Sequence, residues 1–120
     1  MAKEISASVS LAVKTALGVS AERSESKQID MTGDSVHHGI TECGSSGTAL
    51  GHPITAEGTV GWVFLKNLSS SVDVTIGVHA TSNHVITMKP GEFALFRAAG
   101  DLSGDTASGT ALVEWLTIEL

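Results

Sequence analysis

The five histidines are the residues of this sequence best suited to bind a metal ion. His37 and His38 are adjacent, so in a strand their side chains point to opposite faces and cannot both bind one ion. His79 and His84 flank a predicted hairpin loop, but no carboxylate or cysteine stands at a diagnostic spacing beside them. We interpret this pair as polar residues at the mouth of a hairpin. No metal site and no cofactor are expected, and metal binding by His79 and His84 is left open.

The single cysteine, Cys43, begins a glycine-rich turn and could act as a nucleophile with a histidine as its base. The Gly-x-Ser-x-Gly pattern of a nucleophile elbow is absent, however, and no helix is predicted to follow the turn. The turn also lacks the lysine of a phosphate-binding loop. The sequence therefore predicts an inert, half-buried thiol. A lone cysteine forms no intramolecular disulfide, which is compatible with folding in a reducing cytosol.

A pair of facing carboxylates, as in a glycosidase, is the third chemistry that the residue types allow. Asp101 and Asp105 share a loop, whereas Glu92 and Glu114 lie on separate predicted strands. With 13 acidic residues in a chain of 120, such proximity arises by chance. We therefore assign no catalytic residue and expect that the protein is not an enzyme.

The five aromatic residues are the remaining candidates for ligand binding. Trp62, Phe64 and Trp115 could stack against a sugar ring, as in carbohydrate-binding modules. Because an all-β protein with so few aromatic residues needs them in its core, we favour the core for these three. Asn67 begins the glycosylation pattern Asn-Leu-Ser, which has no meaning without secretion. Polar residues interrupt the N-terminal apolar stretch, so no export signal is predicted.

Length and charge exclude several classes of protein. The 120 residues are enough for one domain with its own core, and 42% of them are hydrophobic. Seven basic residues are scattered among 13 acidic ones, which leaves a net charge of −6 and no basic patch for nucleic acid. The longest run of large apolar residues, 62–65, is far shorter than the roughly 20 residues that span a bilayer. We therefore expect neither a nucleic-acid partner nor a membrane.

The hydrophobic pattern predicts short strands throughout the chain. Residues 5–13 alternate between apolar and polar, which favours a strand over a helix, and residues 1–14 form an arm or an edge strand. The charged stretch 21–28 is predicted as a solvated loop or edge. Further strands are predicted at 27–31, 35–42, 60–66, 72–78, 85–88, 93–97 and 111–120, with a long irregular loop at 43–59 and a loose stretch at 98–109.

Two features of the second half of the chain make the prediction of the fold more specific. Residues 60–66 are apolar on both faces, which predicts a central strand covered on both sides. Pro90 and Gly91 occupy the two central positions of a type II turn. The expected fold is all-β: one domain, 1–120, that forms a single β-sandwich of seven or eight short antiparallel strands, with the jelly roll as a candidate topology. The residues predicted for the core are Trp62, Phe64, Val74, Ile76, Phe93, Phe96 and Leu116.

Three segments resemble a class of small virion proteins from tailed bacteriophages. They are 61–68 (GWVFLKNL), 72–77 (VDVTIG) and 88–93 (MKPGEF), and the resemblance extends over residues 60–97, a third of the chain. In these proteins a strand that ends in Asn, a polar turn, a strand that ends in Gly and a Pro-Gly-Glu turn recur in one β-sandwich. Cupin-like jelly rolls share the Pro-Gly-Glu turn, but this chain lacks their clustered His and Glu ligands.

The resemblance implies a non-enzymatic capsid decoration or cement protein that stabilises the shell. Such a protein would lie on the capsid exterior, after assembly in the host cytoplasm, and bridge copies of the major capsid protein. It would bind copies of itself as a homodimer or homotrimer. Residues 1–14 or the loop 43–59 would lie on the shell as arms. The alternatives are a neck, tail or tail-fibre component of the phage and, from another class, a carbohydrate-binding module.

Overall fold

The computed structural model describes residues 5–14, 16–18, 20–30, 36–50, 60–78, 84–98 and 102–119. These residues form ten strands and no helix, which confirms the all-β class. Consequently, none of the described residues belongs to a helix that could cross a membrane. The chain divides into two compact units, residues 1–32 and residues 33–120.

The first unit contains a long β-hairpin. Strand β1 (Ile5–Lys14) pairs with β2 (Ser20–Ile29) without a register shift, from Ile5 opposite Ile29 to Lys14 opposite Ser20. Gly18, in the turn, has a positive φ of 84°, which glycine adopts without strain. The strand predicted at 5–13 is therefore present. The strand predicted at 27–31 is part of a longer one, because the charged residues before it stay exposed while their backbone pairs with β1.

The second unit contains eight strands in two four-stranded antiparallel sheets. The first sheet has the order β3-β10-β5-β8 and the second the order β4-β9-β6-β7. Their bounds are β3 (Val36–Cys43), β4 (Thr48–Leu50), β5 (Val60–Asn67), β6 (Val74–Val78), β7 (His84–Met88), β8 (Phe93–Arg97), β9 (Leu102–Asp105) and β10 (Ala111–Glu119).

The order of the strands is that of a jelly roll. Strand β3 pairs with β10, β4 with β9, β5 with β8 and β6 with β7, as in one long hairpin of eight strands that is rolled up. Two further ladders, β10 with β5 and β9 with β6, close each sheet. This is the double-sheet arrangement of jelly-roll domains.

Two short strands, β4 and β9, lie in segments that were predicted to be irregular. Strand β9 contains Ser103 and Gly104, which have no preference for strands, so local propensity gave no sign of it. A Cβ atom on Gly104 would lie 2.7 Å from Cys43 Sγ, in the first sheet. Only glycine therefore allows the two sheets to approach each other at this point.

The core lies between the two sheets, and the structure corrects part of the predicted core. Val74 and Ile76 are buried as predicted, and Phe96 is half-buried against the core. Phe93, in contrast, is 68% exposed. Trp62, Phe64 and Leu116 are only half-buried, on the outer face of the first sheet, because β5 turns its other face inward. The buried core residues of the second unit are Cys43, Leu50, Val63, Leu65, Val74, Ile76, Met88, Ala98, Leu102, Ala111 and Val113.

A buried asparagine at the end of β5 joins four segments of the sandwich. The side-chain amide of Asn67 donates hydrogen bonds to the carbonyl oxygens of Val72, at 2.8 Å, and Met88, at 2.9 Å. Its side-chain oxygen accepts a hydrogen bond from the backbone N–H of Ser69 at 2.9 Å. Its backbone N–H donates to Glu92 O, and its own carbonyl accepts from the N–H of Gly91, both at 2.9 Å. Asn67 is thus bonded to the loop after β5, the end of β7 and the turn before β8.

The turn between β7 and β8 has the predicted form. The N–H of Glu92 donates to Lys89 O at 2.9 Å, and Gly91 has a φ of +83°. A positive φ at the third position is what a type II turn requires. The Glu92 carboxylate also accepts a hydrogen bond from the Lys89 N–H at 2.8 Å. The strand-end asparagine and the Pro-Gly-Glu turn, which carry the phage resemblance, are therefore parts of one hydrogen-bonded corner.

We expect Asn67→Ala to lower the free energy of unfolding by about 3 kcal/mol, because it removes the partner of a buried carbonyl, that of Met88, and of part-buried backbone groups of Val72 and Ser69. Urea denaturation followed by tryptophan fluorescence measures the effect. The control is Ser70→Ala, an exposed position in the same loop that should change stability by less than about 0.5 kcal/mol. Equal stability of the two variants would contradict this role of Asn67.

The contact between Gly104 and Cys43 predicts a rescue by a second substitution. Gly104→Ala should cost about 1–3 kcal/mol, because its methyl group would overlap Cys43 Sγ. The double variant with Cys43→Ala removes that sulfur and should be more stable than Gly104→Ala alone. Gly44→Ala is the matched control, since a Cβ atom there meets no atom within 4 Å. Additive effects of the two substitutions in denaturant unfolding would show that the two sites do not interact.

Candidate functional site

The outer face of the first sheet is the most unusual surface of the second unit. The strand register arranges its side chains in transverse rows. One row contains Ile40, Glu114, Lys66 and Phe93, and the next contains His38, Leu116, Phe64 and Leu95. A third row has Val36 beside Ile118 and Trp62 beside Arg97. We call these twelve residues the outer patch.

The outer patch is mainly apolar although it faces away from the core. Eight of its twelve side chains are aliphatic or aromatic. Phe93, Ile40 and Val36 are exposed, and the rings of Phe64 and Phe93 stack with their centroids 6.2 Å apart. A soluble domain rarely exposes contiguous apolar surface of this kind without a binding role.

The outer face of the second sheet has the opposite character. Its strands β6 and β7 direct Thr75 and Thr87 outward, and Val85 is the exposed apolar side chain on that side. The outer face of the second sheet is therefore suited to contact with water, and the outer face of the first sheet to contact with another protein surface.

The polar side chains of the outer patch are divided by charge. His38 Nε2 lies 3.0 Å from Glu114 Oε2, on the half of the sheet formed by β3 and β10. Lys66 and Arg97 lie on the half formed by β5 and β8, and no carboxylate of the described residues lies within 4.0 Å of either cation. The outer patch thus has an acidic half and a basic half.

The hairpin of the first unit carries a second exposed apolar surface. Val9, Leu11 and Val13 lie on one face of β1 and are all exposed, with Leu11 at 75%. Arg23 and Glu25 lie opposite on β2 and form an ion pair at 3.3 Å. The reverse face is lined by small polar residues, such as Ser8 opposite Ser26 and Ser10 opposite Ser24. We call Val9, Leu11 and Val13 the hairpin stripe.

The structure places the Cys43 thiol, which the sequence predicts to be inert, where it cannot react readily. Cys43 is fully buried at the end of β3, between the two sheets. Burial, together with the negative charge of Asp105, raises the pKa of the Cys43 thiol to about 11. A thiol with a raised pKa is a poor nucleophile at neutral pH, because the thiolate is the reactive form.

The other residues considered for chemistry are dispersed. His37 and His38 lie on opposite faces of β3, as their adjacency predicts, while His79 and Asp101 lie outside the described residues. No group of three or more metal-binding side chains occurs among the residues that the structure describes. Trp115, one of the three proposed sugar-stacking residues, lies on the inner face, where its indole N–H donates to Thr41 Oγ1 at 2.8 Å.

The outer patch was not predicted as a surface from the sequence. Its residues come from four strands that are distant in the chain, so they share a face only through the register. The sequence feature that could have indicated this surface is the run 62–65, which is apolar on both faces of one strand. We interpreted that pattern as a strand covered on both sides, whereas the described part of the chain leaves its outer face half-exposed.

We expect Cys43 to react with a thiol reagent such as Ellman's reagent at pH 8 at least about a hundredfold more slowly in the folded protein than in urea. The reason is the combined effect of burial and the raised pKa of Cys43. Absorbance of the released thiolate measures the rate, and free cysteine in the same urea concentration is the control. Comparable rates in both states would contradict the burial of this thiol.

Comparison with protein-family models, curated proteins and solved structures finds no match to this chain. The resemblance to phage virion proteins therefore has no support from these comparisons, and the function is argued from the surfaces described above.

Proposed function

We propose that this protein is a non-enzymatic virion structural protein that decorates a phage capsid and stabilises its shell by bridging major capsid proteins. The observation that carries the proposal is the hairpin stripe, an apolar surface on a long hairpin with exposed strands on both sides. Such a hairpin suits a chain that acts by docking on a larger structure.

The physical argument concerns the stability of the hairpin. A two-stranded hairpin is marginally stable in water unless a further strand or another surface covers its apolar side. With ten residues in each strand, the hairpin extends about 34 Å. Val9, Leu11 and Val13 alternate along this length and would be buried together on a flat protein surface. Docking would therefore stabilise the hairpin and attach the chain to its partner in one step.

The shell is the partner that best fits the remaining features. The phage resemblance at 60–97 includes the corner around Asn67, and jelly-roll domains occur in viral capsids as well as in lectins and cupins. That occurrence is an analogy of fold and carries less weight than the surfaces. The net charge of −6 suits a protein that faces solvent on a particle exterior. Each bound copy would stabilise the assembled lattice by linkage between binding and assembly.

The decisive experiment counts the protein in virions of the phage that encodes it, by quantitative mass spectrometry. We expect hundreds of copies per particle, on the capsid exterior as judged by antibody labelling. A dozen copies or fewer would assign the protein to the neck, tail or tail fibre, and its absence from virions would refute the structural role.

Binding of the purified chain to shells from a gene-deletion phage tests the hairpin itself. The variant Val9→Ser, Leu11→Ser, Val13→Ser should bind at least tenfold more weakly in a co-sedimentation assay, because it removes the hairpin stripe. The matched control is Ser8→Thr, Ser10→Thr, Ser26→Thr on the reverse face, which should bind like the natural chain. Equal loss of binding in both variants would contradict docking through the stripe.

A carbohydrate-binding module is the second candidate, and the outer patch is the observation that favours it. Trp62, Phe64 and Phe93 lie on one face of the sheet, where an aromatic platform could stack on sugar rings. Titration with glycans, followed by tryptophan fluorescence, tests this function. A saturable shift that Trp62→Phe abolishes and Trp115→Phe retains would favour sugar binding over a shell protein.

A further inference from the structure

We propose that the outer patch is the interface of a two-fold symmetric dimer, in which two copies of the sandwich pack face to face. The inference deepens the proposed function by identifying the surface through which the chain would bind a copy of itself. It rests on residues of the second unit alone. Its test is therefore separate from the test of binding to a shell.

The first argument is the size of the patch. Four strands at a spacing of about 4.8 Å, each contributing five residues of about 3.4 Å, give a face of roughly 19 by 17 Å. Two such faces would bury roughly 650 Å² as flat areas, before the relief of the side chains is counted. Stable interfaces bury about 1,000 Å² or more, so a patch of this size suits a weak, reversible dimer.

The second argument is the composition of the patch. Its centre is apolar, with Leu116 and Phe64 as neighbours across the two central strands, and Trp62 and Phe93 lie near them. Aromatic residues of this kind supply most of the binding energy in protein interfaces. The charged residues are few and are separated into two halves, which is the pattern of a specific contact and not of general hydrophobic adhesion.

The third argument is charge complementarity under two-fold symmetry. A contact between identical surfaces must be complementary to itself, so each feature meets its counterpart across the axis. An axis parallel to the strands, between β10 and β5, exchanges the acidic half of one copy with the basic half of the other. Glu114 then faces Lys66 of the second copy, and Leu116 faces Phe64 of the second copy.

The same axis also determines which residues face each other at the edges of the patch. Ile40 on β3 then faces Phe93 of the second copy, so an exposed aliphatic side chain covers the most exposed ring. Aligned sheets cross at about 30°, which shifts these positions by a few ångströms. The long side chains of Glu114 and Lys66 span such a shift. Lys66, which has no carboxylate of the described residues within 4.0 Å in its own chain, thereby gains Glu114 of the second copy as an acidic neighbour.

Charge reversal tests the proposal with the full chain, by light scattering after size exclusion and by sedimentation equilibrium. The natural chain should dimerise reversibly, with a dimer fraction that rises with protein concentration. Glu114→Lys and Lys66→Glu should each weaken dimerisation at least tenfold, because like charges then face each other. The double variant should restore the dimer, and so should a mixture of the two single variants, since both cross-contacts are then of opposite sign. Lys89→Glu, which has the same change of charge outside the patch, should leave the dimer intact.

A second pair of variants distinguishes loss of the dimer interface from loss of the folded state. Phe93→Ser should dissociate the dimer and leave the monomer folded, as judged by circular dichroism, because its ring is already 68% exposed within the chain. Val85→Ser, on the other sheet and 83% exposed, is the matched control. A monomer or trimer for the natural chain, or single variants that dimerise normally, would overturn the proposal. A monomer that binds shells and loses this binding on Phe93→Ser would assign the patch to the shell partner.

Discussion

The sandwich depends on one buried amide, that of Asn67. The two sheets of a jelly roll are connected by the chain and by the apolar contacts between them, and such contacts are not directional. Asn67 adds a directional link, because its side chain and backbone form five hydrogen bonds to three separate segments. The Asn67 side chain alone satisfies three backbone groups, those of Val72, Met88 and Ser69. The corner thereby fixes where β5 ends, where β7 ends and how the chain turns into β8.

Much of the fold could be predicted from local patterns, and the errors have identifiable physical causes. Alternation identified β1 and β6, and the Pro90–Gly91 pair identified the turn before β8. Strand β9 was missed because a glycine is required there by contact with the opposite sheet and not by local preference. Asn67 was interpreted as part of a glycosylation pattern and as the strand-ending Asn of the phage resemblance; its hydrogen bond to Met88 was not predicted, since that partner is distant in the chain.

The candidate surfaces were harder to predict from local sequence patterns than the strands were. The sequence indicated that β5 is apolar on both faces, but not which face is turned inward. The preference for aromatic residues in cores favoured Trp62 and Phe64, whereas the smaller Val63 and Leu65 are the buried pair. On β5 the aliphatic side chains thus face the core, while the rings of Trp62 and Phe64 lie on the outer face. The surface, in turn, exists only through the register of four strands and cannot be derived from any one of them.

Because β3 pairs with β10, the outer patch can form only after β10 has been synthesised. These strands are the first and last of the sandwich, so β3 has no ladder partner among the described strands until β10 has been synthesised. Contacts so distant in sequence form late, because closing a long loop costs entropy before the contacts compensate for it. Half of the outer patch belongs to these two strands. Chains that lack β10 therefore lack the surface by which two copies would recognise each other, and the proposed association would be confined to molecules that have completed folding.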